Sequence, residues 1–170
     1  MIIWLDIETT GLDPNKDSIL EVAMTPTDGR GFILAESFHS LVDYDGFISN
    51  EKVRAMHSAS GLLKDLEHPD LPSLDEVERM ACRYVSGFLV HPSQIIVGGR
   101  NPGFDLGFLK AKMPLLEKML GFRTIDVLAF ERAYKEAGIW IEEQPKKTHR
   151  ALQDLSDDIE FYQWVIRSEV

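Results

Sequence analysis

The chain has 170 residues, 44% of them hydrophobic, with 28 acidic against 18 basic side chains and a formal net charge of −10. Such a balance fits one globular domain with a sizeable core and excludes a disordered or fibrous chain; no apolar run approaches the ~20 residues a membrane-spanning helix needs. Cys82, the single cysteine, excludes a disulfide framework and a thiolate metal cluster and reads as a small buried side chain.

Met1 to Ile7 is an apolar run with β-branched residues that stops at Thr9-Thr10-Gly11 and Asp13-Pro14, so it reads as a buried strand ending in a turn. Because it starts at Met1 it leaves no space for a cleaved leader, which points to the cytoplasm. Ser18 to Thr25 and Gly31 to Leu41 are the next strands, joined by a hairpin-type connection at Thr27-Asp28-Gly29. Residues 49–66 read as short helices broken around His57 to Gly61. From Ser73, a capping residue, to about Val90, the apolar positions Leu74, Val77, Ala81, Val85 and Phe88 recur at helical spacing. Gln94 to Gly98 forms a short strand leading into a glycine-containing loop, and Phe104 to Lys112 and Leu115 to Leu120 are helical. Arg123 to Val127 is a fifth strand, Leu128 to Ala137 a helix, Glu142 to Thr148 a polar loop with Pro145, and Ala151 to about Arg167 the last helix. The order βββ-α-β-α-β-α predicts one α/β or α+β domain over residues 1–170, with three antiparallel strands and then parallel crossovers.

The net charge argues against a polyanionic partner, but its distribution softens the objection. Residues 1–90 carry 7 basic and 16 acidic groups, residues 91–170 carry 11 and 12. An acidic protein still holds a phosphodiester when some of its carboxylates bind divalent cations that supply the positive charge.

Asp6 and Glu8 are two residues apart on the first strand, so both project from one face. They would repel there unless a cation lies between them; the alternative is that the strand has ended and both are solvated. Asp105 follows the Gly98–Gly103 loop near a helix start, where an acid also simply suits the helix dipole. His149 and Asp154 are five residues apart, a separation of roughly 140° on a helix. To serve one site, His149 must lie in the loop before the helix and swing over it; the alternative is a surface histidine beside a solvated acid. Asp157 and Asp158 read as solvated helix acids, with Asp158 one turn from Asp154.

Taken as a set, Asp6-x-Glu8, Asp105 and His149-x-x-x-x-Asp154 resemble the three motifs of the DEDDh family of 3′–5′ exonucleases. The surrounding words agree: WLDIETTGL at 4–12, NPGFDLGFL at 101–109 and HRALQD at 149–154. Within that family the likeness to oligoribonucleases extends to HSASGL at 57–62, MPLLE at 113–117 and RTIDV at 123–127, and so covers most of the chain. The resemblance implies a ribonuclease-H-like fold with a five-stranded mixed sheet flanked by helices. It implies that Asp6, Glu8, Asp105 and Asp154 hold two divalent ions, Mg2+ or Mn2+, with Asp6 bridging them, and that His149 is the general base. It further implies nucleoside 5′-monophosphate release from single-stranded RNA or DNA 3′ ends, short ones in particular, and a homodimer.

By the same resemblance Leu12 wedges against the terminal bases, His57 lies near the scissile region or the sugar, and Arg123 helps bind the 5′ phosphate of a short substrate. A turn-packing leucine, a helix-end surface histidine and a structural ion pair are the respective alternatives. Phe130, Tyr134 and Trp140 are candidate interface residues or ordinary helix packing. The chain departs from oligoribonucleases at Lys52, where they carry a tryptophan, at Asn101 and Leu128, where they carry serines of the phosphate-capping surface, and at Phe122, where they carry a tyrosine. Losing a stacking ring, worth ~1–3 kcal/mol per base, loosens a restriction to dinucleotides and opens the alternative of a broader exonuclease on single-stranded DNA. A non-catalytic nucleic-acid-binding module is the remaining alternative.

Overall fold

The computed structural model describes residues 1–139 and 147–168. Trp140 and most of the expected 142–148 loop, Pro145 included, lie outside the described residues. Five strands form one sheet: β1 (Ile2–Thr9), β2 (Ile19–Thr27), β3 (Phe38–Leu41), β4 (Ile96–Gly99) and β5 (Arg123–Asp126), in the order β3-β2-β1-β4-β5. The β1–β2 and β2–β3 pairs are antiparallel and the β1–β4 and β4–β5 pairs parallel, the mixed α/β arrangement expected of a ribonuclease-H-like fold. The helices are α1 (Glu51–Ala59), α2 (Leu62–Asp65), α3 (Leu74–Ser86), α4 (Pro102–Lys112), α5 (Pro114–Met119), α6 (Val127–Glu136) and α7 (Ala151–Ser168).

Strand alternation sorts β1 into two cores. Ile3, Leu5 and Ile7 join Val77, Ala81, Phe108, Leu109 and Leu116 of α3, α4 and α5 on one face. Ile2 and Trp4 join Leu155, Ile159 and Tyr162 of α7 on the other, where the Trp4 and Tyr162 rings pack tilted at 59° with centroids 5.2 Å apart. Asp6 and Glu8 continue the Ile2–Trp4 row, so the sheet aims both acids toward the α7 side. The two strands that meet there approach closely: a Cβ on Gly98 would lie 2.7 Å from the Trp4 ring, and one on Gly99 would lie 2.8 Å from the Leu5 carbonyl oxygen.

Two expected elements differ. Only Phe38–Leu41 of the predicted Gly31–Leu41 strand pairs regularly. The Asp28 side chain accepts from the Arg30 and Phe32 amides and closes a tight turn. After it Thr27 opposes Ile33 while Met24 opposes Phe38, so two extra residues are looped out on the returning side. Helix α3 starts where Ser73 and Glu76 form the reciprocal capping box but stops at Gly87, short of Val90. Cys82 is only partly buried against the core.

Phe108 sits one turn after Asp105 on α4 and is fully buried, so it fixes that helix against β1. Phe108→Ala is expected to lower unfolding stability by about 3–5 kcal/mol, read from a urea denaturation midpoint; a loss under about 1 kcal/mol would mean α4 is not anchored there.

Candidate active site

β4 pairs with β1 only as far as Trp4, which leaves the next amides of β1 without a strand partner on that side. Asp105, in the first turn of α4, fills the gap: its Oδ1 accepts from the Ile7 amide at 3.1 Å. The carboxyl group is therefore buried close to Asp6 at the C-terminal end of the parallel strands, where open α/β sheets build their sites. Pro102, at the first position of α4, sets the helix start two residues earlier than the sequence pattern suggests.

The N-terminus of α7 is set by Glu21, the residue opposite Glu8 across the β1–β2 ladder. Its carboxylate accepts from the Ala151 amide at 3.0 Å, from Arg150 at 3.1 Å and 3.3 Å, and pairs with His39 at 2.7 Å. Burial alone would raise its pKa, but the bonds from His39, the Ala151 amide and Arg150 outweigh that and hold it below the ordinary glutamate range. Sequence reasoning missed Glu21, although a lone acid inside the apolar run Ile19 to Met24 is the same signal that singled out Asp6.

Helix α7 begins at Ala151, so His149 lies in the preceding loop, as its spacing from Asp154 requires. The histidine has φ 57°, a left-handed conformation costing about 1–3 kcal/mol in a non-glycine residue. Asp154 holds it: Oδ1 accepts from the Thr148 amide at 2.8 Å and the Thr148 hydroxyl at 2.9 Å, and Oδ2 from the His149 amide at 3.2 Å. One ligand atom each of Glu8, His149 and Asp154 lies within 4.8 Å of the others.

His57, on the last turn of α1, is fully buried. Its Nε2 lies 2.8 Å from the Thr9 carbonyl oxygen; its Nδ1 lies 3.8 Å from Glu8 Oε2 and has no hydrogen-bond partner among the described residues. The helix-end surface position considered from sequence is thus corrected: His57 backs Glu8 from inside the fold. Burial, first, lowers its pKa, which favours the neutral ring.

The structure also corrects the reading of Asp158 as a solvated acid. It is 1% exposed and bonded to Arg100 at 3.1 Å and Lys147 at 3.2 Å. Arg100 continues to Glu131 of α6 at 2.6 Å, and Glu131 to Lys135 at 2.6 Å.

Of the expected substrate contacts, Leu12 is 78% exposed in the turn after β1. Asn101 is exposed with φ 60°, and its amide shares Asp126 Oδ1 with that of Leu128, which brings these two departures from the oligoribonuclease pattern side by side. Arg123 is exposed, donates to the Ser93 carbonyl at 2.9 Å and lies over the exposed Phe122 ring; no carboxylate pairs with it among the described residues. Phe130 and Tyr134 line an apolar groove of about 580 Å³ with Val165 and Ile166 of α7.

Crowding the acids raises their pKa values. Burial, opposed by Lys147 and reinforced by Asp154, Asp158 and Glu21, pushes Asp6 up to about 8. Burial, with Asp6 and Asp154 adding repulsion, pushes Glu8 up to about 9. Asp105 is raised well above the ordinary range by burial and then by Asp6. Oxygen donors at this density, with one imidazole, fit a hard divalent cation, whose charge would relieve the repulsion.

An exonuclease family model matches residues 3–162. The chain belongs to the DEDDh 3′–5′ exonuclease family. This exonuclease is 31% identical to the oligoribonuclease of Streptomyces coelicolor over 93% of its own length and 81% of the relative's. It is 30% identical to the oligoribonuclease of Mycobacterium tuberculosis, over 93% and 76% respectively. Among solved structures it resembles E. coli Exonuclease I in complex with a 5cy-dT13 oligonucleotide at a TM-score of 0.71 and 17% identity over 98% of its own length, a likeness of fold. It covers 40% of that chain, so the exonuclease spans about two-fifths of the solved neighbour. No helix among its described residues is long and apolar enough to cross a membrane.

Raised carboxyl pKa values have a definite sign. The folded protein binds more protons than the unfolded chain between the ordinary carboxyl range and about 9, so these groups' contribution to stability is present at acid pH and is lost as pH rises through that window. Without divalent ions the melting temperature should therefore fall between pH 5 and pH 8 on account of this cluster, and added Mn2+ should raise it more at pH 8 than at pH 5.5. A Mn2+ effect that is equal at both values would show that these acids are not the binding groups.

Proposed function

We propose that residues 1–170 form a single exonuclease domain that hydrolyses short single-stranded RNA from the 3′ end to nucleoside 5′-monophosphates. The observation that carries the reading is the convergence of Glu8, His149 and Asp154, with Asp6 and Asp105 beside them on β1 and α4. Asp6, Glu8, Asp105 and Asp154 are the residues that would hold two divalent ions, Mg2+ or Mn2+. Bound there, the ions supply charge neutralisation and activation for phosphodiester hydrolysis.

The chain's own groups do the rest. His149 takes the proton of the attacking water, the general-base role for which an imidazole side chain is suited. Its backbone amide is tied to Asp154, which fixes where the ring starts. Leu12 is exposed and free to wedge between terminal bases, and the Arg123 guanidinium, with no carboxylate partner among the described residues, is available to a phosphate. The relatives named oligoribonuclease support short RNA as the substrate; a homodimer and a cytoplasmic site of action are part of the same proposal.

A second reading, a broader exonuclease acting on single-stranded DNA, is favoured by a specific observation. Asn101 and Leu128 stand together where a phosphate-capping pair of serines is expected, and Lys52 is an exposed lysine in place of a stacking ring. The exonuclease should be incubated with Mn2+ or Mg2+ and end-labelled RNA and DNA of two, five and twenty nucleotides. Preference for the shortest RNA supports the first reading, and equal processing of long DNA the second. Asp105→Ala should abolish hydrolysis with the fold retained. His149→Ala should slow it by roughly 10²–10⁴-fold. Full activity in either variant would remove that residue from the site.

A further inference from the structure

We propose that Asp158 and Lys147 form a latch that holds the His149 segment against α7, which makes Asp158 a positioning residue for His149 and Asp154. The inference rests on the reading of His149 as the proton acceptor. Asp154 and Asp158 are four residues apart on α7, so they share a face, and their side chains lean back toward the helix N-terminus. Residues 147–149 pass over that face. Asp154 takes the amides of Thr148 and His149, while Asp158 takes the Lys147 ammonium at 3.2 Å. Lys147 also donates to the Asp154 carbonyl at 3.3 Å. Three consecutive residues are thereby tied to one helix face, and the last of them is the strained His149.

A carboxylate as buried as Asp158 is costly unless it is fully paired. Its second partner is Arg100 Nε at 3.1 Å. Arg100 lies between β4 and α4, two residues ahead of the helix turn that contains Asp105, and is itself braced by Glu131 of α6. Asp158 is therefore where the segment carrying Asp105 and the segment carrying His149 are joined. An ion pair serving stability alone would not need its lysine in the strand of chain that delivers the histidine.

Asp158→Asn and Lys147→Met, made in the full chain, test the latch with two readouts. The first is steady-state cleavage of a labelled five-nucleotide RNA with Mn2+. Because a small misplacement of a reacting group costs rate more than binding, kcat should fall about tenfold or more, with KM within about threefold. The second is amide hydrogen exchange: Thr148 and His149 should exchange about tenfold faster in both variants, with the Ile7 amide unchanged. The double variant should be no worse than Asp158→Asn. Unchanged exchange at Thr148 and His149, or a lowered melting temperature with kcat preserved, would overturn the proposal. Should Asp158→Asn fail to fold, Lys147→Met decides alone, since its side chain is partly exposed and Asp158 keeps Arg100. Exchange does not depend on turnover, so an inactive wild type would count against the exonuclease substrate and leave the latch to be judged by exchange.

Discussion

Mutual repulsion among buried carboxylates is the constraint around which this protein is arranged. Asp6, Glu8, Asp105 and Asp154 crowd the C-terminal end of the central strand, and burial pushes Asp6 up to about 8, Glu8 up to about 9 and Asp105 well above the ordinary carboxylate range. A core built for stability would not contain them. Two of the acids also complete a backbone need, which offsets part of the cost: Asp105 satisfies the open Ile7 amide of β1, and Asp154 satisfies two amides of the loop before α7. Structural hydrogen bonds thus hold the acids in place while their remaining lone pairs are left for a cation.

The supports lie outside the cluster. Glu21 receives the first amide of α7 and the guanidinium of Arg150, while Asp158 receives Arg100 and Lys147. These two buried acids, one on the sheet and one on the helix, keep α7 in register with β1. His57 closes the inner side of Glu8 with a neutral ring and so adds no positive charge that would compete with a bound cation. At Glu21 and Asp158 each buried carboxylate meets a cationic side chain, which is the condition under which a buried charge fixes geometry without leaving an unpaired ion.

Much of this was legible in the sequence because it follows from local periodicity. The two-residue repeat placed Asp6 and Glu8 on one face; the five-residue gap from His149 to Asp154 forced the histidine off the helix; and Ser73 with Glu76 marked the start of α3. The change from antiparallel to parallel pairing followed from the order of elements and the rules for crossovers. What escaped is long-range or depends on side chains. Glu21 meets Arg150 across 129 residues and Asp158 meets Arg100 across 58, and no local pattern links such partners. The Asp28 side chain closes its own turn and interrupts the strand expected from Gly31, because it competes for the amides that a regular hairpin would use. That His57 is interior depends on the packing of α1 against the end of β1, which no local pattern encodes.

Buried acids that are protonated in part when alone should exchange protons for divalent cations. Calorimetric titration of Mn2+ into the metal-free protein at pH 7.5, repeated in buffers of different ionisation enthalpy, counts the protons released per ion bound. The account predicts net release of about one proton or more, reduced in the Asp105→Asn variant. Binding with no proton release, or release unchanged in that variant, would contradict it.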